Sequence, residues 1–213
     1  MKVVSLNHPE LRQILDNFSL WFFNQDLKEL EEHLTPDARK RIGDKDGTTS
    51  LDYLKKALST PVEYGYPKST CGVEMMNGVG VVPTKFVRKA KEANDALMEF
   101  FGARNNALQM YYPAGGYIGW HNNCNASGYN IVLSCNPEGD GEFEHYDHIN
   151  NKLNVFKDEK NWNVKVGYFG SAKEQDKIYW HCARTRTPRI TFSYVVYDKN
   201  IWNDMVADIE YAG

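Results

Sequence analysis

The stretch of residues 110–123 reads MYYPAGGYIGWHNN, and the pattern of the chain changes close to where it begins. It contains two short runs rich in tyrosine and isoleucine, separated by the turn residues 113–116. Short runs of β-branched and aromatic residues bounded by Gly, Pro and Asn predict β-strands. The stretch therefore predicts that a β-rich half of the chain begins near residue 105.

Further runs of this kind follow toward the C-terminus. Eight short strands are predicted in all, over residues 107–112, 117–121, 129–135, 142–146, 153–156, 162–169, 177–182 and 189–198. Strands of this number and spacing are typical of a sandwich or a barrel.

The residues before 105 have the period of helices instead. Apolar residues recur every three or four positions over residues 11–22 and 86–100, which predicts two amphipathic helices. Asn7 is the predicted cap of the first helix, and Gly102 is the predicted end of the second. A shorter helix is predicted over residues 51–58, with Thr49 or Ser50 as its cap, and another over residues 201–209.

Helices followed by a run of strands predict an α+β fold, in which the helices pack on one outer face of the β-structure. We expect residues 1–104 to form a mainly helical N-terminal part. Residues 105–213 are then the β-domain with its C-terminal helix, and both parts belong to one compact domain. Residues 61–83 show no clear period and are expected to be irregular.

The composition is that of a globular protein, with 213 residues, 42% hydrophobic content and a net charge of −3. This charge creates no overall field that attracts nucleic acid. The N-terminus lacks the apolar region of a signal peptide, and no apolar run is long enough to cross a membrane. Four cysteines without a C-x-x-C pair are typical of a reducing compartment, so we expect a cytoplasmic protein.

Three positions in the β-rich half suggest a metal site. His121 ends one predicted strand, Asn123 follows two residues later, and His181 lies in another strand. Residues i and i+2 of an extended chain share a face, so His121 and Asn123 can face one ion. Two histidines and a carboxylate form the facial triad that holds non-haem Fe(II). A single histidine in an aromatic strand is more often structural, but two histidines and a suitably spaced arginine favour the metal interpretation.

That arginine is Arg189, which begins the apolar strand run 190–196. Its position predicts a side chain that faces inward. A buried arginine requires an anionic partner, which a ligand carboxylate held by two hydrogen bonds would supply.

Residues 105–198, which contain these candidate site residues, resemble a 2-oxoglutarate- and Fe(II)-dependent dioxygenase domain of the prolyl-hydroxylase-like branch. The segment from Met110 to His121 is similar to the one that leads into the first metal histidine of that family. Trp180-His181 resembles the distal histidine segment, and Arg189-x-Thr191 resembles the element that binds the cosubstrate. The resemblance implies a double-stranded β-helix, or jelly roll, with supporting N-terminal helices.

The resemblance also implies roles for individual residues. His121 and His181 would bind iron as catalytic ligands, with Asn123 in the third ligand position. Arg189 would pair with the C5 carboxylate of 2-oxoglutarate, and Thr191 and Tyr112 would donate hydrogen bonds to it. The implied reaction hydroxylates a substrate with O2. A peptide or protein side chain is the favoured substrate, and a small molecule or a nucleotide is the alternative.

Asn123 departs from the family pattern, which has a carboxylate at this position. Three interpretations follow. Asn123 coordinates the metal through its amide oxygen or a water, another carboxylate such as Asp147 completes the site, or the barrel is degenerate and binds without turnover. His145-x-Asp147 is itself a candidate first ligand pair, although it lies only 36 positions before His181.

Overall fold

The computed structural model describes residues 1–59, 65–76, 82–102 and 106–212. Its helices are α1 Pro9–Phe23, α2 Lys28–Glu31, α3 Pro36–Lys40, α4 Leu51–Ser59, α5 Thr84–Phe101 and α6 Lys199–Glu210. Its strands are β1 Lys2–Val4, β2 Thr70–Cys71, β3 Val73–Glu74, β4 Asn106–Tyr112, β5 Tyr117–His121, β6 Gly128–Asn136, β7 Gly141–Asp147, β8 Lys152–Lys157, β9 Asn161–Phe169, β10 Trp180–Thr185 and β11 Arg189–Val196.

The described strands form two antiparallel sheets. One has the order β1-β9-β6-β11-β4-β3, and the other has the order β2-β5-β10-β7-β8. Strands adjacent in the chain therefore often lie in different sheets, as with β4 and β5. This mixture of helices and two antiparallel sheets is a fold of the sandwich or jelly-roll type.

The larger sheet packs against α1 and α5 through aromatic side chains. Phe18 of α1 contacts Phe192 of β11 with ring centroids 5.1 Å apart, and Phe101 of α5 contacts Tyr194 at 5.4 Å. Alternate residues of β11 thus enter the helix–sheet core, which leaves the residues between them to face the other sheet. Within the described residues no helix is long and apolar enough to cross a membrane.

Most of the helices and strands predicted from the sequence are confirmed, and so are two of the predicted helix ends. Gly102 follows α5 with φ +56°, the left-handed conformation that glycine adopts without strain. Ser50 caps α4 by accepting a hydrogen bond from the Tyr53 N–H at 3.2 Å. The predicted cap of α1 is wrong. His8 precedes α1 without a side-chain cap, and Asn7 instead binds backbone carbonyls at the end of α6.

Two further differences have physical causes. The strand predicted over residues 177–182 begins at Trp180 instead, because residues 175–177 form a 3₁₀ turn. Glu174 stabilises that turn by accepting hydrogen bonds from Ser171 and Tyr168. The strands β1, β2 and β3 lie in the part predicted to be helical or irregular, and at two or three residues they are too short to show a period.

Candidate metal and anion site

A cavity of about 370 Å³ lies between the two sheets. The sequence-predicted site residues all line it, namely Tyr112, His121, Asn123, His181, Arg189 and Thr191. A larger cleft of about 650 Å³ opens elsewhere, between the loop of residues 43–50 and the β6–β7 turn, and none of these six residues lines it. The inner cavity is therefore where the candidate groups meet.

A bulge in β5 turns His121 into the cavity. Ile118 pairs with Ala183, and His121 pairs with His181. Between these two pairs β5 advances by three residues and β10 by only two. The extra residue lets Ile118 and His121 both face inward, because an added residue reverses the alternation of a strand. It also directs Trp120 outward, where its indole N–H donates to the Thr49 carbonyl.

The two histidines are direct neighbours across the strands. Their ring centroids lie 4.0 Å apart, and their exposed fractions are only 3% for His121 and 5% for His181. Each Nδ1 lies 2.8 Å from a backbone carbonyl oxygen, of Gly119 for His121 and of Tyr179 for His181. A carbonyl only accepts, so Nδ1 carries the proton and Nε2 keeps its lone pair.

Burial keeps both imidazoles neutral. It lowers the pKa of His121 to about 4, although the carbonyls of Gly119 and His181 oppose the shift. Burial also lowers the pKa of His181 well below its ordinary value, and the neighbouring His121 adds to this effect. Neutral imidazoles whose Nδ1–H is held by a carbonyl are the usual state of histidine metal ligands. The pair therefore fits a divalent metal ion as two of its ligands.

Asn123 reaches the cavity differently from the sequence expectation. The strand ends at His121, and Asn123 has φ +50°, so the chain between them is not extended. Its N–H donates to the Gly65 carbonyl at 3.0 Å, which ties this turn to the segment after residue 64. Asparagine is among the few residues that adopt a left-handed backbone readily, so the position suits an amide.

The alternative ligands suggested by the sequence do not line the cavity and have other partners. Asp147 accepts hydrogen bonds from Ile149 and Asn150 in the β7–β8 turn. His145 is the cross-strand neighbour of His181, but its ring stacks on Tyr179 at 3.7 Å. In the part of the chain that the structure describes, no three His, Cys, Asp or Glu side chains group as a metal site. Among the described residues that line the cavity there is no carboxylate either.

Arg189 is buried at the inner end of β11 with an exposed fraction of 2%. Its Nε lies 3.0 Å from Oδ2 of Asp158, although the angle is not that of a hydrogen bond. The other carboxylate oxygen of Asp158 accepts a hydrogen bond from Lys165 Nζ at 2.8 Å. Sequence reasoning expected a ligand as the partner of Arg189 and missed both of these residues, since a single Lys or Asp in a β-rich chain gives no sign of burial.

Thr191 and Tyr112 flank Arg189 on the cavity side. The Thr191 hydroxyl is buried without a hydrogen-bond partner among the described residues. Tyr112 is the cross-strand neighbour of Arg189. Burial raises its pKa, against a smaller opposite effect of Arg189, so its hydroxyl stays protonated. The cavity thus offers two hydroxyl donors beside a guanidinium.

Aromatic rings form the wall around His181, and sequence reasoning did not single them out. Phe143 stacks on the His181 ring at 5.3 Å and an interplanar angle of 19°, and Phe169 contacts it at 4.7 Å. These contacts restrict the rotation of the imidazole and exclude water from it. The cavity lining beyond the polar residues is mostly apolar, including Val132 and Leu108.

No protein-family model matches the chain, and no curated protein matches it. Among solved structures, it is similar to a prolyl-4-hydroxylase of Pseudomonas putida, at 10% identity and a TM-score of 0.39, over 91% of each chain. It is also similar to a dioxygenase for auxin oxidation in rice, at 12% identity and a TM-score of 0.38, over 90% of this chain and 71% of that one. Similarities this low carry no argument about activity, which must rest on the residues of the cavity.

Proposed function

We propose that this protein is an Fe(II)- and 2-oxoglutarate-dependent oxygenase that hydroxylates a C–H bond of its substrate. The observation that carries the proposal is a single cavity between the two sheets, lined by two buried neutral histidines and a buried arginine. Imidazoles without charge suit a metal, and a guanidinium suits a carboxylate. A ligand that binds both must carry a chelating end and an anionic end, as 2-oxoglutarate does.

In this proposal His121 and His181 hold the iron through Nε2, and Asn123 is the third protein ligand. The bound iron and 2-oxoglutarate supply the oxidising chemistry, in which O2, 2-oxoglutarate and R–H become R–OH, succinate and CO2. The chain positions these reactants. The carbonyls of Gly119 and Tyr179 orient the two imidazoles, and Phe143 keeps water from the His181 face.

The far carboxylate of 2-oxoglutarate is assigned to Arg189, Thr191 and Tyr112. The orphan hydroxyl of Thr191 supports this assignment, because a buried donor without a partner costs roughly 1–3 kcal/mol unless a ligand satisfies it. The fold that the proposal requires is a double-stranded β-helix supported by the N-terminal helices. A reducing, cytoplasmic setting agrees with four cysteines that form no disulfide.

The mouth of the cavity suggests the kind of substrate. Tyr66 and Tyr197 line it from two different segments, and each is 70% exposed. Exposed tyrosines contribute large contact areas at a low cost in conformational entropy, which suits an extended peptide. A protein or peptide side chain is therefore the favoured substrate class.

Replacement of His181 tests the proposal. We expect His181→Ala to abolish the conversion of 2-oxoglutarate to succinate, because one of two imidazole ligands is lost. Arg184→Ala, on the same strand but facing Glu142 and Glu144 outside the cavity, is the matched control and should keep the activity. Undiminished succinate formation by His181→Ala would exclude this use of the site.

A second function has one observation in its favour, which is that none of the described residues lining the cavity is a carboxylate. Without that charge the barrel would be a binding module that holds an anionic ligand and does not turn it over. Anaerobic calorimetry with Fe(II) separates the two functions. An affinity for Fe(II) that increases when 2-oxoglutarate is added supports the oxygenase. An affinity for 2-oxoglutarate that is the same with and without the metal supports the binding module.

A further inference from the structure

Three charged side chains meet at the closed end of the cavity. Asp158 contacts Arg189 through one carboxylate oxygen and Lys165 through the other, at 3.0 and 2.8 Å. The side chains of Lys165, Asp158 and Arg189 are exposed by only 1%, 0% and 2%. Two cations and one anion leave a buried excess of one positive charge.

Such an excess is costly in the absence of a second anion. A buried charge without a partner strongly destabilises a fold. The described neighbours add only dipoles. Ser134 lies 3.4 Å from Lys165, and the Tyr112 and Thr191 hydroxyls flank Arg189. The site is therefore suited to one additional negative charge on its cavity side.

The source of the excess is Lys165. An arginine and an aspartate alone would form a neutral pair, and Arg189 would then attract an incoming carboxylate only weakly. Burial alone would raise the pKa of Asp158, but Arg189 and Lys165 attract its charged form and lower the pKa below its ordinary value. Asp158 is thus ionised, and Lys165 compensates its charge. Arg189 keeps its own charge for a ligand.

We propose that Lys165 is a positioning residue that sets the affinity of the cavity for a dianionic ligand without contacting it. Lys165 is absent from the described cavity lining, while Arg189 belongs to it. This inference rests on the proposed function and adds a specificity determinant to it. Lys165 distinguishes a dicarboxylate from a 2-oxo acid that has only one carboxylate.

The test compares two ligands of equal length by anaerobic calorimetry in the presence of Fe(II). One is 2-oxoglutarate, and the other is 2-oxopentanoate, which lacks the far carboxylate. We expect Lys165→Met to weaken 2-oxoglutarate binding by roughly 10- to 100-fold, the effect of one charge a few ångströms away in a poorly solvated site. The affinity for 2-oxopentanoate should change by less than roughly threefold. Lys165→Gln repeats the test if the methionine variant does not fold.

A charge series separates electrostatics from damage to the fold. The double variant Asp158→Asn with Lys165→Met restores the excess of one charge, so its affinity for 2-oxoglutarate should return to near that of the wild type. A double variant as weak as Lys165→Met would overturn the proposal. Lys173→Met removes an exposed lysine and controls for net charge, and it should bind normally.

The outcomes distinguish the inference from the function on which it rests. A wild-type protein that binds no 2-oxoglutarate with Fe(II) would refute the proposed function itself. A wild type that binds 2-oxoglutarate, together with a Lys165→Met variant that binds it equally well, would refute only the role of Lys165.

Discussion

At the scale of single residues, the site is defined by what each side chain lacks. His121 and His181 lack a positive charge because they are buried, and Thr191 has no hydrogen-bond partner among the described residues. Asn123 lacks the charge that an Fe(II) ligand usually brings. Each missing charge or hydrogen bond can be tested with a variant that supplies or removes the group concerned.

Asn123→Asp should strengthen Fe(II) binding. A carboxylate adds a direct attraction to the metal ion, which we expect to raise the affinity by roughly tenfold or more. Aspartate also tolerates the left-handed backbone at this position, so the turn should persist. Anaerobic metal titration measures the effect. Asn125→Asp adds the same charge to the same loop outside the cavity lining, and it should change the affinity far less. Equal affinities for the wild type and Asn123→Asp would show that residue 123 does not face the metal.

Thr191→Val should weaken the binding of 2-oxoglutarate without lowering the stability of the fold. The hydroxyl makes no hydrogen bond among the described residues, so its loss should leave the free energy of unfolding unchanged or slightly increased. The same change should weaken 2-oxoglutarate binding by roughly 10- to 150-fold, the value of one hydrogen bond to a charged group. Urea unfolding and calorimetry provide the two measurements. A large loss of stability without a loss of affinity would assign the hydroxyl a structural role.

At the scale of elements, close contacts between strands and loops hold the cluster of Asp158, Lys165 and Arg189 in place. Asp158 follows β8, and its N–H donates to the Gly141 carbonyl at 2.8 Å. A Cβ atom at Gly141 would lie 2.5 Å from Oδ2 of Asp158, so only glycine leaves room for this carboxylate beside Arg189. The start of β7 therefore fixes the position of Asp158 beside Lys165 of β9 and Arg189 of β11.

Gly141→Ala should displace the Asp158 carboxylate from Arg189. We expect a loss of roughly 1–3 kcal/mol in the free energy of unfolding, as for other overpacked sites, and weaker 2-oxoglutarate binding. The double-mutant cycle with Asp158→Ala is the control, because the added methyl group no longer meets a carboxylate. The two substitutions should therefore be less destabilising together than the sum of their separate effects, and additive effects would contradict this account.

At the scale of the whole molecule, the charge buried between the two sheets depends on pH. Burial lowers the pKa of Lys165 below its ordinary value, Asp158 opposes this shift in part, and Arg189 adds to it. Among the described residues, the groups that face Lys165 are these two and the uncharged Ser134. An anion bound near Arg189 favours the protonated form of Lys165, so anion binding and protonation are linked.

The affinity for 2-oxoglutarate should accordingly fall as the pH rises through the lowered pKa of Lys165. Lys165 loses its proton at a lower pH in the ligand-free protein than a solvated lysine does, and the excess charge is lost with it. Calorimetry at several pH values up to about 10, within the ordinary range of lysine, measures the slope. Lys165→Met should flatten the slope, and an equal slope in this variant would contradict the linkage.

Much of the fold was predictable from local pattern. This holds for the alternation of side chains in β6 and β11, for the apolar faces of α1 and α5, and for the end of α5 at Gly102. Each of these features depends on residues close together in the chain. The spacing of His121, His181 and Arg189 likewise indicated a cavity between strands. Very short strands such as β2 were not predictable, because two residues cannot show a period.

The sequence by itself determined the elements and the candidate polar residues, since periodicity and turn chemistry act over a few positions. Only the tertiary structure decided which charged side chains meet at the closed end of the cavity. Asp158, Lys165 and Arg189 lie on different parts of the chain and meet because β6 pairs with both β9 and β11. The bulge that turns His121 inward is likewise a property of the pairing between β5 and β10. Contacts between distant positions arise from strand pairing and burial, and neither is encoded in the pattern of any one segment.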